Sequence, residues 1–129
     1  MPSLRATAVK VPKSIYLHLV FVTKYRRKII TSEMIQTMAE VFQRVCIANQ
    51  SKMLEINGEP DHVHLMVDLH PDNNISQLVA SLKGASSRIV QKIYYGKPVF
   101  WSSSYYAASV GSVLLERVKQ YIQNQNGFS

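Results

Sequence analysis

Two segments of the chain carry apolar residues at spacings of three and four: Met34, Ile35, Met38, Val41, Phe42 and Val45 in one, and Ile75, Leu78, Val79, Leu82, Ile89 and Ile93 in the other. Between and around them lie runs rich in β-branched and aromatic residues, SIYLHLVFV over 14–22, a short run over 52–57, HVHLMVDL over 62–69 and VFWSSSYYAASV over 99–110. The first spacing belongs to helices with one buried face, and the runs belong to strands. Ser32 is the expected cap of the first helix, which should end near Asn49, and Gly58-Glu59-Pro60 turns one strand into the next. Pro71, Asp72, Asn73 and Asn74 break the chain before the second helix, and Gly96 and Pro98 end that region. A last helix is expected from Gly111-Ser112 through Leu114, Leu115, Val118, Tyr121 and Ile122 to about Gln125, with Gly127 as its stop. Strand, helix, strand, strand, helix, strand, helix predicts an α+β fold. It is a ferredoxin-like split βαβ antiparallel sheet with an appended C-terminal helix. Fold alone licenses no activity.

At 129 residues the chain fits one domain. Residues 1–13, with Arg5, Lys10 and Lys13 and no periodicity, read as a basic N-terminal arm, and residues 14–129 as the single domain. Cys46 is the only cysteine, so an intramolecular disulfide and a CxxC zinc site are excluded. Among Val45, Ile47 and Ala48 it reads as a buried, inert thiol. No apolar run approaches the roughly 20 residues that span a bilayer, and the N-terminus lacks the apolar core of a signal peptide, so the cytoplasm is the expected location. Fifteen Lys and Arg against eight Asp and Glu leave a formal charge of +7, and seven tyrosines, four phenylalanines and a tryptophan supply stacking surface. Both properties suit nucleic acid, although basicity alone also serves solubility.

His62 and His64 flank Val63 at the start of a strand, so both imidazoles project from one face and two neutral nitrogens there can grip a cation. An accidental exposed pair has the same spacing. On the last helix Tyr121 and Gln125 are four residues apart and share a face; a half-buried aromatic beside a solvated glutamine would look the same. Arg117 shares that face and is placed to hold a phosphate. The two clusters become informative together. A tyrosine can hold a phosphoryl group covalently, and a divalent cation bound by two imidazoles and a carbonyl oxygen can polarise a phosphate oxygen. Nitrogen and oxygen donors suit Mg²⁺ or Mn²⁺.

Four blocks carry a resemblance: YLHLVFVTKYRRK near the start, PDHVHLMV over 60–67, FWSSSYYAASVGS over 100–112 and VKQYIQNQ over 118–125. In this order they resemble the HUH single-strand transposases with one catalytic tyrosine, of the insertion-sequence 200/605 group, over residues 15 to about 125. The resemblance implies that His62 and His64 are metal ligands, that Gln125 completes the metal site, and that Tyr121 is the nucleophile that joins a 5′ phosphate and frees a 3′ hydroxyl. It further implies a divalent metal, Mg²⁺ or Mn²⁺. It also implies single-stranded DNA hairpins at element ends as substrate, and a homodimer in which the tyrosine helix of one subunit serves the histidines of the other.

For phosphate contacts the candidates are Lys24, Arg26, Arg27, Lys28, Lys83, Arg88 and Lys92, with Tyr25 as a stacking residue; each is equally readable as solvated surface. His18 reads as a satisfied sheet residue whose strand neighbours the site, and His70 as a loop residue. Trp101, Tyr105 and Tyr106 read as core packing, and Asp61 as shaping the turn or supporting a ligand from behind. Two other functions fit the same chain. One is a host-domesticated HUH protein that processes repeated chromosomal hairpins, which genomic flanks would discriminate. The other is a non-catalytic ferredoxin-like nucleic-acid-binding module, which would form no covalent adduct. A metal-dependent hydrolase fits less well, because no carboxylate of the histidine block is evidently placed as a general base.

Overall fold

The computed structural model describes residues 15–96, 99–111 and 114–125. The arm expected over residues 1–13, and Ser112 and Gly127 at the ends of the last helix, lie outside them. The elements run β1 (Ile15–Thr23), α1 (Ser32–Ala48), β2 (Lys52–Glu59), β3 (His62–Leu69), α2 (Ile75–Val90), β4 (Trp101–Val110) and α3 (Leu115–Gln123). Their order and type are those expected. The four strands form one sheet in the order β2-β3-β1-β4, every pair antiparallel. This is the split βαβ arrangement with an extra terminal helix.

Side-chain alternation in the two central strands divides the molecule into two layers. Leu17, Leu19 and Phe21 of β1 and Val63, Leu65, Val67 and Leu69 of β3 are buried on one face. They form a single core with Met34, Met38, Phe42 and Cys46 of α1 and Leu78, Val79, Leu82 and Val90 of α2. Each such fully buried side chain contributes about 1.5–3 kcal/mol through area removed from water. The other face presents His18, Val20, His62, His64 and Met66, and α3 lies across it against β2 and β3. Ile122 anchors this helix and is fully buried. Asn57 Nδ2 donates to the Gln123 carbonyl at 3.2 Å, and Gln123 Nε2 donates to Glu55 Oε2 at 2.8 Å.

Several local expectations need correction. The cap of α1 is Thr31, whose hydroxyl accepts from the Met34 N–H at 3.2 Å, and Ser32 is already helical. The second helix closes at Val90, and a π turn over Gln91–Tyr95 follows, ended by Gly96 at φ 78°. The wider turn carries Ile93 off the buried face, so Ile93 is exposed, as is Ile75 in the first turn. The last helix starts at Leu115 and stops at Gln123. Cys46 is buried, and burial pushes its thiol up to about 11, in keeping with an inert thiol. Trp101 is core as expected, its Nε1–H donating to Ser86 Oγ at 2.9 Å, but Tyr105 and Tyr106 are exposed. Among the described residues no helix is long and apolar enough to cross a membrane.

Gly58 lies opposite Val63 and lets β2 approach the strand that begins with the histidines. A Cβ here would collide with the His62 carbonyl oxygen and stand 2.9 Å from Val63 Cα. Both are backbone atoms that cannot swing aside. Gly58→Ala should therefore lower unfolding free energy by about 1–3 kcal/mol, read as a lower urea midpoint; an unchanged midpoint would mean the hairpin can widen at no cost.

Candidate active site

β3 begins where the turn of Pro60 and Asp61 ends, and its first and third residues are the two histidines. His62 stands opposite Val22 of β1 and Glu59 of β2, and His64 opposite Val20 and Asn57. Their rings are 4.9 Å apart between centroids. Each is held from behind through Nδ1. His62 Nδ1 lies 2.7 Å from Asp61 Oδ1, whose other oxygen meets Arg26 at 3.2 Å. His64 Nδ1 lies 3.0 Å from His18 Nε2.

Burial alone pushes the Asp61 carboxyl up. The hydrogen bond from His62 and the charges of Arg26 and His62 outweigh it and hold the group below the ordinary carboxylate value. A carboxylate can only accept, so His62 carries its proton on Nδ1 and leaves Nε2 as a lone pair. His64 is 6% exposed, and its Nε2 is buried with no hydrogen-bond partner. Burial, reinforced by the neighbouring His62 and His18, pushes its pKa down to about 4. Burial also lowers His18. A neutral, buried imidazole with an unused nitrogen, beside a second whose tautomer is set by a carboxylate, is a pair of nitrogen donors that could hold a divalent cation. Among the described residues no three His, Cys, Asp or Glu side chains converge on one metal position.

Tyr121 lies beside this pair in the same chain. Its ring centroid is 5.5 Å from that of His64 and 6.3 Å from that of His18, both edge-on, and the residue is 50% exposed. With His18, Val20, His64, Tyr106, Arg117 and Val118 it lines an open groove of about 570 Å³ between the sheet and α3. Arg117 thus occupies the side of α3 expected for it. Gln125 lies two residues past the end of α3, where its backbone N–H bonds the Ile122 carbonyl at 3.0 Å. Its amide does not reach the free nitrogen of His64.

The basic candidates fall into three settings. Lys24, Tyr25 and Arg26 form a 3-10 turn directly after β1. Thr23 N–H bonds the Asp61 carbonyl at 3.0 Å and Lys24 N–H the Phe100 carbonyl at 2.9 Å, so the turn is fastened beside the histidine strand. Tyr25 and Arg26 have φ of 59° and 52°, left-handed values that cost non-glycine residues of order 1–3 kcal/mol each. The Tyr25 ring is 77% exposed with Lys24 and Arg27 each 5.1 Å from its centroid. Arg27 also donates to the Tyr95 hydroxyl at 2.7 Å, while Lys28 is simply exposed. Lys83 is engaged within the fold. Its ammonium donates to the Ser102 carbonyl at 2.5 Å and lies near the Phe21 and Tyr105 rings, where burial lowers its pKa. Arg88 and Lys92 line a groove with Arg44 between α1 and α2, on the far side of the sheet from the histidines.

Sequence reasoning passed over two side chains of this site. His18 was read as a satisfied sheet residue, and it is satisfied by the candidate ligand itself. Tyr106 was read as core, yet it is 55% exposed and packs edge-on to His18 at 5.8 Å. The alternation of β1, which puts His18 on the face opposite Leu17 and Leu19, was the available signal for the first.

A sequence-family profile described as "Transposase IS200 like" matches residues 12–125. The chain is 26% identical over 117 residues to the ISDra2 transposase TnpA of Deinococcus radiodurans, covering 84% of this chain and 82% of that protein. It is 28% identical over 114 residues to the transposase for insertion sequence element IS200 of Salmonella typhimurium, covering 84% and 74%. A crystal structure of a putative transposase from Deinococcus radiodurans superimposes with a TM-score of 0.71 at 25% identity, covering 93% of this chain and 97% of that one. A REP-associated tyrosine transposase bound to a REP hairpin shares the fold, with a TM-score of 0.68 at 14% identity, 88% of this chain and 67% of that one.

The depressed pKa of His64 has a consequence for stability. With a folded value of about 4 against an ordinary 6.5, protons bind preferentially to the unfolded chain between these values. The contribution is therefore fully present above about pH 6.5 and lost as pH falls toward 4. In metal-free protein the thermal midpoint should drop across this window, and His64→Gln should flatten the drop; equal slopes would show that His64 does not titrate there.

Proposed function

The chain belongs to the IS200-like transposase family, and from that premise we propose that it cuts and rejoins single-stranded DNA at hairpin-bearing element ends through a phosphotyrosine at Tyr121. The observation that carries this reading is the half-exposed Tyr121 ring beside His64, whose buried Nε2 has no partner. In the cleavage step Tyr121 Oη forms a bond to phosphorus as the bond from phosphorus to the 3′ oxygen breaks. The phenol proton is released and the 3′ oxygen gains one, leaving a 5′ phosphotyrosine and a free 3′ hydroxyl. A different 3′ hydroxyl reverses the step and rejoins the strand, so the energy of the phosphodiester is kept and no high-energy cofactor is required.

His62 and His64 would hold a divalent cation, Mg²⁺ or Mn²⁺, through their Nε2 atoms, and Gln125 would supply an oxygen to it. When bound, such an ion withdraws charge from a non-bridging phosphate oxygen. Arg117 meets the phosphate from the tyrosine helix, and Lys24, Arg26 and Lys28 carry the backbone of the flanking DNA, with Tyr25 stacking on a base. Arg88 and Lys92 serve a second stretch of DNA on the helical layer, and Lys83 acts within the fold.

A homodimer with exchanged helices would rebuild the same contacts between subunits, with Ile122 on the partner's sheet. Within one chain the Tyr121 ring lies beside that of His64, at 5.5 Å between centroids.

Tyr121→Phe should abolish the covalent protein–DNA product on a denaturing gel while leaving hairpin binding within about twofold. Loss of binding instead would make the tyrosine structural. His62→Ala should remove nicking, and chelator should do the same to the wild type; full nicking in chelator would overturn the metal role. Mixing the Tyr121→Phe and His62→Ala proteins should restore cleavage if the helices exchange, and leave both inactive if each chain completes its own site.

A further inference from the structure

Between His18 Nε2 and His64 Nδ1, 3.0 Å apart, there is room for one proton. Two neutral imidazoles can share it in two ways. If His18 donates, His64 must carry its own hydrogen on Nε2, a buried N–H with no acceptor. If His64 donates, its Nε2 is a lone pair, on a ring whose centroid is 4.9 Å from that of His62. Asp61 imposes that second arrangement on His62, again through Nδ1. We propose that His18 is a positioning residue for the metal site: it accepts the Nδ1 hydrogen of His64 and so holds that ring with its Nε2 lone pair free for the cation.

The fold supports this role. His18 sits in the middle of β1 opposite Met66, one diagonal from His64 across the central strand pair. The two rings stack at 5.2 Å and 19°, and Tyr106 and Tyr121 close on His18 from the groove side. His18 is not a ligand in this arrangement, since the nitrogen it turns toward His64 is the one engaged in the hydrogen bond. A neutral acceptor here orients the ligand without placing a second carboxylate near the phosphate.

The proposal rests on the reading of His62 and His64 as metal ligands, and its test separates the two. Long-range ¹H–¹⁵N spectra of the metal-free wild type should show His64 protonated on Nδ1; protonation on Nε2 overturns the proposal without any variant. His18→Phe, which keeps the ring and loses the acceptor, should release that tautomer and weaken Mn²⁺ binding, measured by electron paramagnetic resonance, by about 10- to 100-fold. His18→Gln, whose carbonyl can accept the same hydrogen, should recover most of the loss. A folded His18→Phe protein with unchanged tautomer and Mn²⁺ affinity overturns the role of His18. A wild type that takes up no Mn²⁺ defeats the metal reading itself.

Discussion

The antiparallel pairing of β1 with β3 is the constraint from which the rest follows. Its register puts Val20 opposite His64 and His18 opposite Met66. Because neighbouring side chains on a strand face opposite ways, the same pairing sends Leu17, Leu19, Phe21, Val63 and Leu65 to the other side. One face can then be dry enough to bury two helices while the next residue along each strand is an imidazole. A slip of one residue would exchange the faces, burying the histidines under α1 and α2 and exposing the core. The stability of the sheet and the composition of the site are therefore a single choice of register.

The site is reached through a turn that the fold holds in a costly conformation. Tyr25 and Arg26 occupy left-handed backbone, and the turn is fastened to the carbonyls of Asp61 and Phe100 at either side. Arg26 then reaches Asp61, which holds His62. An exposed basic turn and a candidate metal ligand are thus linked through one carboxylate. The apolar layer beneath shows the same economy: Lys83, a cation on a helix that packs on the sheet, spends its charge on the carbonyls of β4.

Structure is most legible in this sequence where local pattern and packing agree. Element order, the strand His62–Leu69 and the antiparallel α+β class were legible, because a period of 3.6 and a period of 2 are written in the apolar residues themselves. Helix ends were less so. Thr31 and Ser32 are both competent caps, and only the bond to Met34 chooses between them. The π turn that displaces Ile93 has no signature in residue type. Tyr105 and Tyr106 were misread because an aromatic run on a strand looks alike whether a helix covers it or not; Tyr106 faces the α3 groove and Tyr105 the opposite side beside Lys83, and both stay exposed.

What the sequence determined by itself was therefore which side chains share a face: a pair of histidines on one strand face, a tyrosine and an arginine on one helix face, together with an excess of positive charge. These depend only on spacing along a regular element, which any copy of that strand or helix would reproduce. Tertiary structure decided which of the remaining polar groups serve them. It set His18 behind His64, Asp61 behind His62 and Lys83 against the backbone of β4, and it put Arg88 and Lys92 on the far layer. Such partnerships join residues up to 46 positions apart, and no periodicity within one element carries the register between two.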